Sequence, residues 1–398
     1  MTGPGRKRPA GIALLTALVV VLLLTFFLSE FFFATGLELR AIQNFRQAAQ
    51  AGSLARSALR AVEIGLMQDE VLFMSGYRQM QQFMVLGVVP MGSGRLVELS
   101  IEPLDARFNL NEMANLSAGD LNYVRWTLFE KLMAQIPVNP PPEPAPPGGI
   151  QQSLPGGTQP TPPAQSSVPP TVLPLDKIDE FHAALMDWMD TDDVDYQAFG
   201  YPGAESNAYY FTDPEYTIKN APLDRLEEIR LIRGFMDLRL PWAEVEKRFS
   251  VRPKQTAAAD LYPEKLNVNL ATRQEIMDFL RLRHLDNLGP IGNANFKASQ
   301  TSLNEYADKA QQIADALIPD ETIRTKYTAD SLRLAVKTAG GVNEAFAPKI
   351  FSTYNQYYRV RLTTEVDDVQ SRVDALVYVQ RKPDRTGSRV EVLQYTAN

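Results

Sequence analysis

Between Ala183 and Ile218 the chain carries eight carboxylates and no lysine, arginine or histidine. Asp187, Asp190, Asp192, Asp193 and Asp195 crowd into "DWMDTDDVD", Glu205 follows in "GAESN", and Asp213 and Glu215 lie beyond it. Like charges this dense repel one another. Water around an open loop relieves them, and so does a hard cation held by about six to eight carboxylate, amide and carbonyl oxygens. The spacing is not that of an EF-hand. Counted from Asp190, Asp192 takes the third place, but Val194 falls at the fifth, Asp195 at the sixth where glycine is required, and Tyr201 at the twelfth where glutamate is required. From the residues alone, a solvated acidic loop is the simpler reading and a cation site its rival.

Other chemistry finds less to work with. The absence of cysteine removes disulfides, thiol nucleophiles and cysteine zinc sites together. Of the two histidines, His182 sits on a helical segment before the acidic loop, and neither it nor His284 has a second histidine at a metal-ligand spacing. There is no P-loop, dinucleotide fingerprint or G-x-S-x-G. Paired carboxylates for glycoside chemistry could be drawn from Asp187 to Asp195, but acids without a base or aromatic platform in register suit a cation better. The expectation is a protein that is not an enzyme. A net charge of -7 also argues against nucleic-acid binding. "LNVNLATRQEI" resembles the opening of a DNA-binding helix-hairpin-helix, but its continuation "LGPIGNANF" is interrupted by Pro290 and no basic cluster follows.

The elements that must position the acidic loop are legible on both sides. "LPLDKIDEFHAALMDWM" places Ile178, Phe181, Ala184, Leu185 and Trp188 on one helical stripe, and "LSAGDLNYVRWTLFEKLMAQI" predicts a second helix. Between them, residues 137–174 hold fourteen of the 28 prolines with Glu143 as the lone charge, the composition of an extended, disordered insertion. Thr272 and Glu275 form a capping box that opens a further helix. "GRLVELSIEP" alternates Leu96, Glu98 and Ser100 with Val97, Leu99 and Ile101 and predicts a strand with one buried face. At the C-terminal end, Tyr358, Val360 and Leu362, then Val373, Ala375, Val377 and Val379, alternate with period two and predict antiparallel strands joined through "KPDRTGS". The fold class is α+β, with a helical domain between the first and last strands; 398 residues suffice for about two or three domains.

The chain opens differently. After Arg6, Lys7 and Arg8 no ionisable side chain occurs until Glu30, enough to cross a hydrocarbon core, and the preceding cations put the N-terminus in the cytoplasm and the bulk outside. Helical spacing continues through Leu37, Leu39, Ile42, Phe45, Ala48 and Ala49, without proline and without sustained heptads. "RPAG" followed by "IALLTALVVVLLLT" resembles a type IV prepilin leader. The resemblance implies cleavage after Gly11 by a prepilin peptidase, N-methylation of Ile12, and retention of the apolar helix. At the fifth mature position, where such proteins usually carry a glutamate that pairs with a neighbouring subunit's amine, this chain has Thr16.

"DWMD-x-D", "GAESNAYY" and "YTIKNAPLDRLEEIRLIRG", together with "DARFNLNEM", "KLNVNLATRQEI" and the C-terminal strands, are similar in order and spacing to the type II secretion system protein K family, the large minor pseudopilins. That family also lacks the glutamate replaced at Thr16. The resemblance implies a type IV pilin-like fold: a long N-terminal transmembrane helix and an antiparallel sheet, with a large all-helical, SAM-like domain inserted. It divides the chain into a leader at 1–11, a membrane segment at 12–35, pilin helix and first strands at 36–112, the inserted domain at 113–345 and closing strands at 346–398. It implies structural calcium held by Asp190, Asp192, Asp193 and Glu205, with Asn207 as a neutral oxygen. The implied setting is the bacterial inner membrane, single-pass, with most of the chain periplasmic. The implied partners are I- and J-type minor pseudopilins in a tip complex, the major pseudopilin, the prepilin peptidase, and the secretin with its exported proteins. Two competing readings are a minor pilin of a type IV pilus and a membrane-anchored periplasmic hydrolase.

Overall fold

With neither proline nor charge to interrupt it, the apolar N-terminal run forms the start of a single helix, α1, spanning Ala10–Gln68. The computed structural model describes residues 10–84, 89–92, 94–113, 120–138, 173–198, 200–209, 216–253, 264–282, 300–320, 326–340, 347–381 and 388–397. From Leu14 onward α1 is long and apolar enough to cross a membrane, and that apolar window is wholly exposed. Exposure continues through Leu37, Leu39, Ile42 and Phe45, so the helical spacing expected there is present but covers no core. The packed stripe begins at Ala51 and runs through Ala55, Ala58, Leu59, Val62 and Leu66, which bury against the sheet, chiefly the strand Val369–Gln380. Alanines on this face let the helix backbone approach closely: Thr364 donates its hydroxyl to the Ala51 carbonyl at 2.8 Å.

Asp69 separates α1 from the next helix, α2 (Glu70–Met84), by capping it: its Oδ1 accepts the backbone N–H of Val71 at 3.0 Å and Leu72 at 3.2 Å. The two helices fit closely where Gly65 meets the Phe73 ring, which any Cβ at 65 would overlap.

The sheet has five strands in the order Val89–Met91, Gly94–Pro103, Tyr357–Val366, Val369–Gln380, Arg389–Ala397. Arg95 pairs with Glu365 and Thr363 with Glu98, so numbers rise along one central strand as they fall along its neighbour and the pairing is antiparallel. The hairpin after Val366 turns at Asp367, whose φ of 53° is left-handed. The C-terminal alternation is as expected, with Tyr358, Val360, Leu362, Val373, Ala375, Val377 and Val379 buried. The first long strand does not keep one buried face: Leu96 and Ile101, of opposite parity, are both covered, and Ile101 donates its N–H to the Tyr77 hydroxyl of α2 at 3.0 Å.

The helix α1, α2 and the sheet make one unit, residues Met1–Glu102 with Tyr358–Asn398. A second unit, Pro103–Tyr357, is inserted in the chain between them. It is wider at both ends than the 113–345 expected, for a local reason. Leu104 N–H bonds the Tyr357 carbonyl at 2.9 Å, and buried Asp105 accepts the N–H groups of Gln356 and Tyr357, each at 2.9 Å. Entering and leaving segments are thereby tied side by side.

Among the described residues of this second unit, two apolar cores are present. One gathers Phe108, Phe129, Phe181 and Phe249 around α3 (Asp120–Ala134) and α4 (Leu175–Met189), beside the short α5 (Trp242–Arg248). The other gathers Ile276, Phe279, Ile313, Leu317, Leu332 and Val336 from α6 (Arg273–Leu282), α7 (Gln300–Leu317) and α8 (Ala329–Gly340). The expected capping box opens α6: Thr272 N–H reaches Glu275 Oε2 at 2.7 Å, and Glu275 N–H reaches Thr272 Oγ1 at 3.2 Å. Short parallel pairings, Phe108–Asn109 with Phe249–Ser250 in the first core and Leu266–Asn267 with Phe351–Ser352 in the second, join segments far apart in the chain. Most of the proline-rich segment (139–172) and "LGPIGNANF" lie outside the described residues.

Candidate metal centre

The acidic loop hangs from the C-terminal end of α4. Ile178, Phe181, Ala184, Leu185 and Trp188, the predicted stripe, are all buried in the first core, which fixes the helix. Asp190 leaves helical geometry with ψ of -176° while its N–H still bonds the Met186 carbonyl at 3.0 Å. The chain then makes a small hairpin, Gln197–Ala198 against Tyr201–Pro202, turning at Gly200 with φ of 89°. That hairpin returns Gly203, Ala204 and Glu205 to the helix end, where Gly203 N–H bonds the Tyr196 carbonyl at 2.8 Å. A 3-10 turn, Ser206–Tyr209, follows, and Tyr209 packs on Trp188 and Tyr216 with ring centroids 5.7 and 5.3 Å away.

Folding in this way brings together acids that are fifteen residues apart in the chain: ligand oxygens of Asp190, Asp192 and Glu205 all lie within 4.8 Å of one another. Glu205 is only 4% exposed, yet among the described residues neither of its carboxylate oxygens has a hydrogen-bond partner, and Oδ1 of Asp190 is likewise buried and unpartnered. Burial, followed by the charges of Asp187, Asp190, Asp193 and Asp195, pushes the Glu205 carboxyl up to about 7. Burial and the Asp192 charge push Asp190 up to about 6. The negative end of the α4 dipole adds to the same field, and the last turn of α4 has no basic residue.

Unpartnered, buried carboxylate oxygens at this density fit a hard divalent cation. Ca2+ takes about six to eight oxygens and tolerates irregular geometry, so three carboxylates with backbone carbonyls and water could satisfy it. Such an ion would supply the positive charge that the loop lacks.

Of the five residues expected to bind metal, Asp190, Asp192 and Glu205 are brought together. Asp193 stands outside that group and accepts a hydrogen bond from Asn220 Nδ2 at 3.2 Å. Asn207 is exposed on the 3-10 turn. Gly11 and Ile12 lie in the first turns of α1, and Thr16 is exposed on that helix.

Three residues of the site escaped the sequence-level ligand set. Asp187, one turn before Asp190, is fully buried; its spacing of three placed it on the same helix face and could have marked it. Gly203 leaves room for Asp187, whose Oδ2 any Cβ at 203 would overlap. Asn220, with a left-handed φ of 46°, donates to the Asp192 carbonyl and the Asp193 carboxylate, each at 3.2 Å, from a distant segment that no local pattern identifies. His182 is no ligand in this arrangement. It is buried between Phe129 and Tyr196, ring centroids 5.7 and 6.2 Å away, and burial holds it neutral with its pKa lowered to about 4. His284 lies outside the described residues.

Residues 172–240, which contain α4, the acid cluster and Asn220, match a family model described as Type II secretion system (T2SS), protein K. Among solved structures, the chain is similar to one in the GspK-GspI-GspJ complex from the enterotoxigenic Escherichia coli type 2 secretion system. The identity is 14% and the TM-score 0.47, covering 91% of this chain and 99% of that one. No curated protein sequence gives a match.

Proposed function

We infer, from the match of residues 172–240 to the type II secretion system protein K model, that this chain is a minor pseudopilin seated at the tip of the periplasmic pseudopilus. In this reading a prepilin peptidase cuts after Gly11, Ile12 becomes the methylated N-terminus, and α1 anchors the protein in the bacterial inner membrane with its N-terminus cytoplasmic. The apolar, exposed first half of α1 supports a membrane anchor. Thr16 offers no carboxylate to the amine of a neighbouring subunit, so the protein docks poorly beneath another and suits the uppermost place. I- and J-type minor pseudopilins complete the tip complex, the major pseudopilin extends below it, and the filament drives folded proteins toward the secretin. Its role is structural, not catalytic.

Calcium is the structural ion in this reading, held by Asp190, Asp192 and Glu205. The carrying observation is the match at residues 172–240 together with the buried, unpartnered Glu205 inside that span. Binding offsets the mutual repulsion of the acids and fastens the returning hairpin to the end of α4.

The test is co-purification of the full-length protein, in detergent, with I- and J-type minor pseudopilins, alongside secretion of a folded exported protein by cells lacking this chain. Stable association and loss of secretion are expected. A protein that binds neither partner, in cells that still secrete, would overturn the tip assignment.

A further inference from the structure

Asp187 is fully buried, but three oxygens from other acids, not its own, make the tight cluster. Its two oxygens have unequal surroundings. Oδ1 accepts the Tyr196 N–H at 2.7 Å, and the carboxylate also accepts the Ala204 N–H, so one group ties the end of α4 to both limbs of the returning hairpin. Among the described residues Oδ2 has no hydrogen-bond partner, and it rests against Gly203. A buried carboxylate oxygen without a donor is costly, more so when other anions surround it. The charges acting on Asp187 are Asp190 and Asp195, both negative, and Asp187 is the first of the charges acting on Glu205. Apolar packing alone gives no reason for a carboxylate here: a neutral amide of the same shape would keep the Tyr196 contact and remove the repulsion.

Resting on the reading of this loop as a cation site, we propose that Asp187 is its positioning residue: from the buried side it sets the loop's closure through Oδ1 and supplies a fourth negative charge through the unpartnered Oδ2, drawing a divalent cation onto the oxygens of Asp190, Asp192 and Glu205.

The discriminating variant is Asp187→Asn, which keeps volume and the Oδ1 acceptor and removes the charge. Full-length wild type and variant, in detergent, are titrated with Ca2+ by calorimetry and with Tb3+ by luminescence sensitised from nearby Trp188, and both are melted in EGTA. Removing one charge beside a divalent ion weakens binding by about tenfold or more. The expected result is that loss, with a melting temperature in EGTA equal to or above that of wild type, because repulsion has been relieved.

Unchanged Ca2+ and Tb3+ affinity in Asp187→Asn would overturn the proposal while leaving the cation site intact. A variant that loses the same stability with and without Ca2+, or fails to fold in either, would make Asp187 purely structural and also overturn it. Gly203→Ala gives a second reading: it keeps every carboxylate but displaces Oδ2, and should weaken Ca2+ binding as well. Wild type that binds neither ion would remove the cation site itself, a failure distinct from the others.

Discussion

Arg125 and Glu264, 139 residues apart in the chain, meet as a two-pronged ion pair in the interior, Nη1 to Oε2 at 2.7 Å and Nη2 to Oε1 at 2.8 Å. Arg125 also donates to the Asn109 carbonyl at 3.2 Å and stacks on the Phe108 ring, 4.1 Å from its centroid, while Glu264 Oε1 accepts the Asn109 N–H at 3.0 Å. Breaking a buried pair strands the survivor. Glu264→Gln is therefore expected to cost about 3–5 kcal/mol, and Arg125→Met a similar amount, both measurable by urea unfolding. A loss under about 1 kcal/mol would mean that water reaches the pair.

Calcium at about a hundredfold excess over its dissociation constant should add about 2.7 kcal/mol and raise the melting temperature by several degrees. The rise should be absent with Mg2+, which demands a tighter octahedral shell, and absent in Asp190→Ala with Glu205→Ala. Differential scanning calorimetry in EGTA, Mg2+ and Ca2+ reads this directly. No rise with any ion would make the loop an ordinary solvated one.

In EGTA the acid cluster gives an unusual pH dependence. Folding raises Asp187 and Asp190 to about 6 and Glu205 to about 7, so between the ordinary carboxylate range and those values the folded chain holds more protons than the unfolded one. Stability from these groups is fully present below the unfolded values and is lost as pH rises through about 6 to 7. His182, lowered to about 4, acts with the opposite sign, one group against three. The metal-free protein should therefore melt higher near pH 5 than near pH 7.5. Asp190→Asn with Glu205→Gln should flatten the slope, and saturating Ca2+ should reverse it, because protons then compete with the ion.

Gly65→Ala should loosen the junction of α1 and α2, since the new methyl group would overlap the Phe73 ring. Overpacking of this kind costs about 1–3 kcal/mol. Hydrogen exchange at residues 60–75 should rise more than in the helices of the second unit. Unchanged exchange there would show that Phe73 moves aside freely.

Local pattern was enough wherever one segment dictates its own conformation. The apolar run without proline, the stripe from Ile178 to Trp188, the Thr272 and Glu275 capping box and the alternation within each strand from Tyr358 to Val379 each carry their pattern within one element, and all formed as read. The sequence also determined that the acids of residues 187–205 must find relief, because charge density is a property of composition.

It did not determine which acids share a pocket. Asp190, Asp192 and Glu205 converge only because the turn at Gly200 and the Tyr196 to Gly203 hydrogen bond return the chain to α4, while Asp193 is drawn off by Asn220. Nor could spacing reveal that Leu37 to Phe45 keep their helical stripe uncovered, or that Arg125 finds Glu264. Periodicity shows which face of an element is apolar. What covers that face, and which buried charge meets which, depends on contacts between residues far apart in the chain, which tertiary packing alone decides.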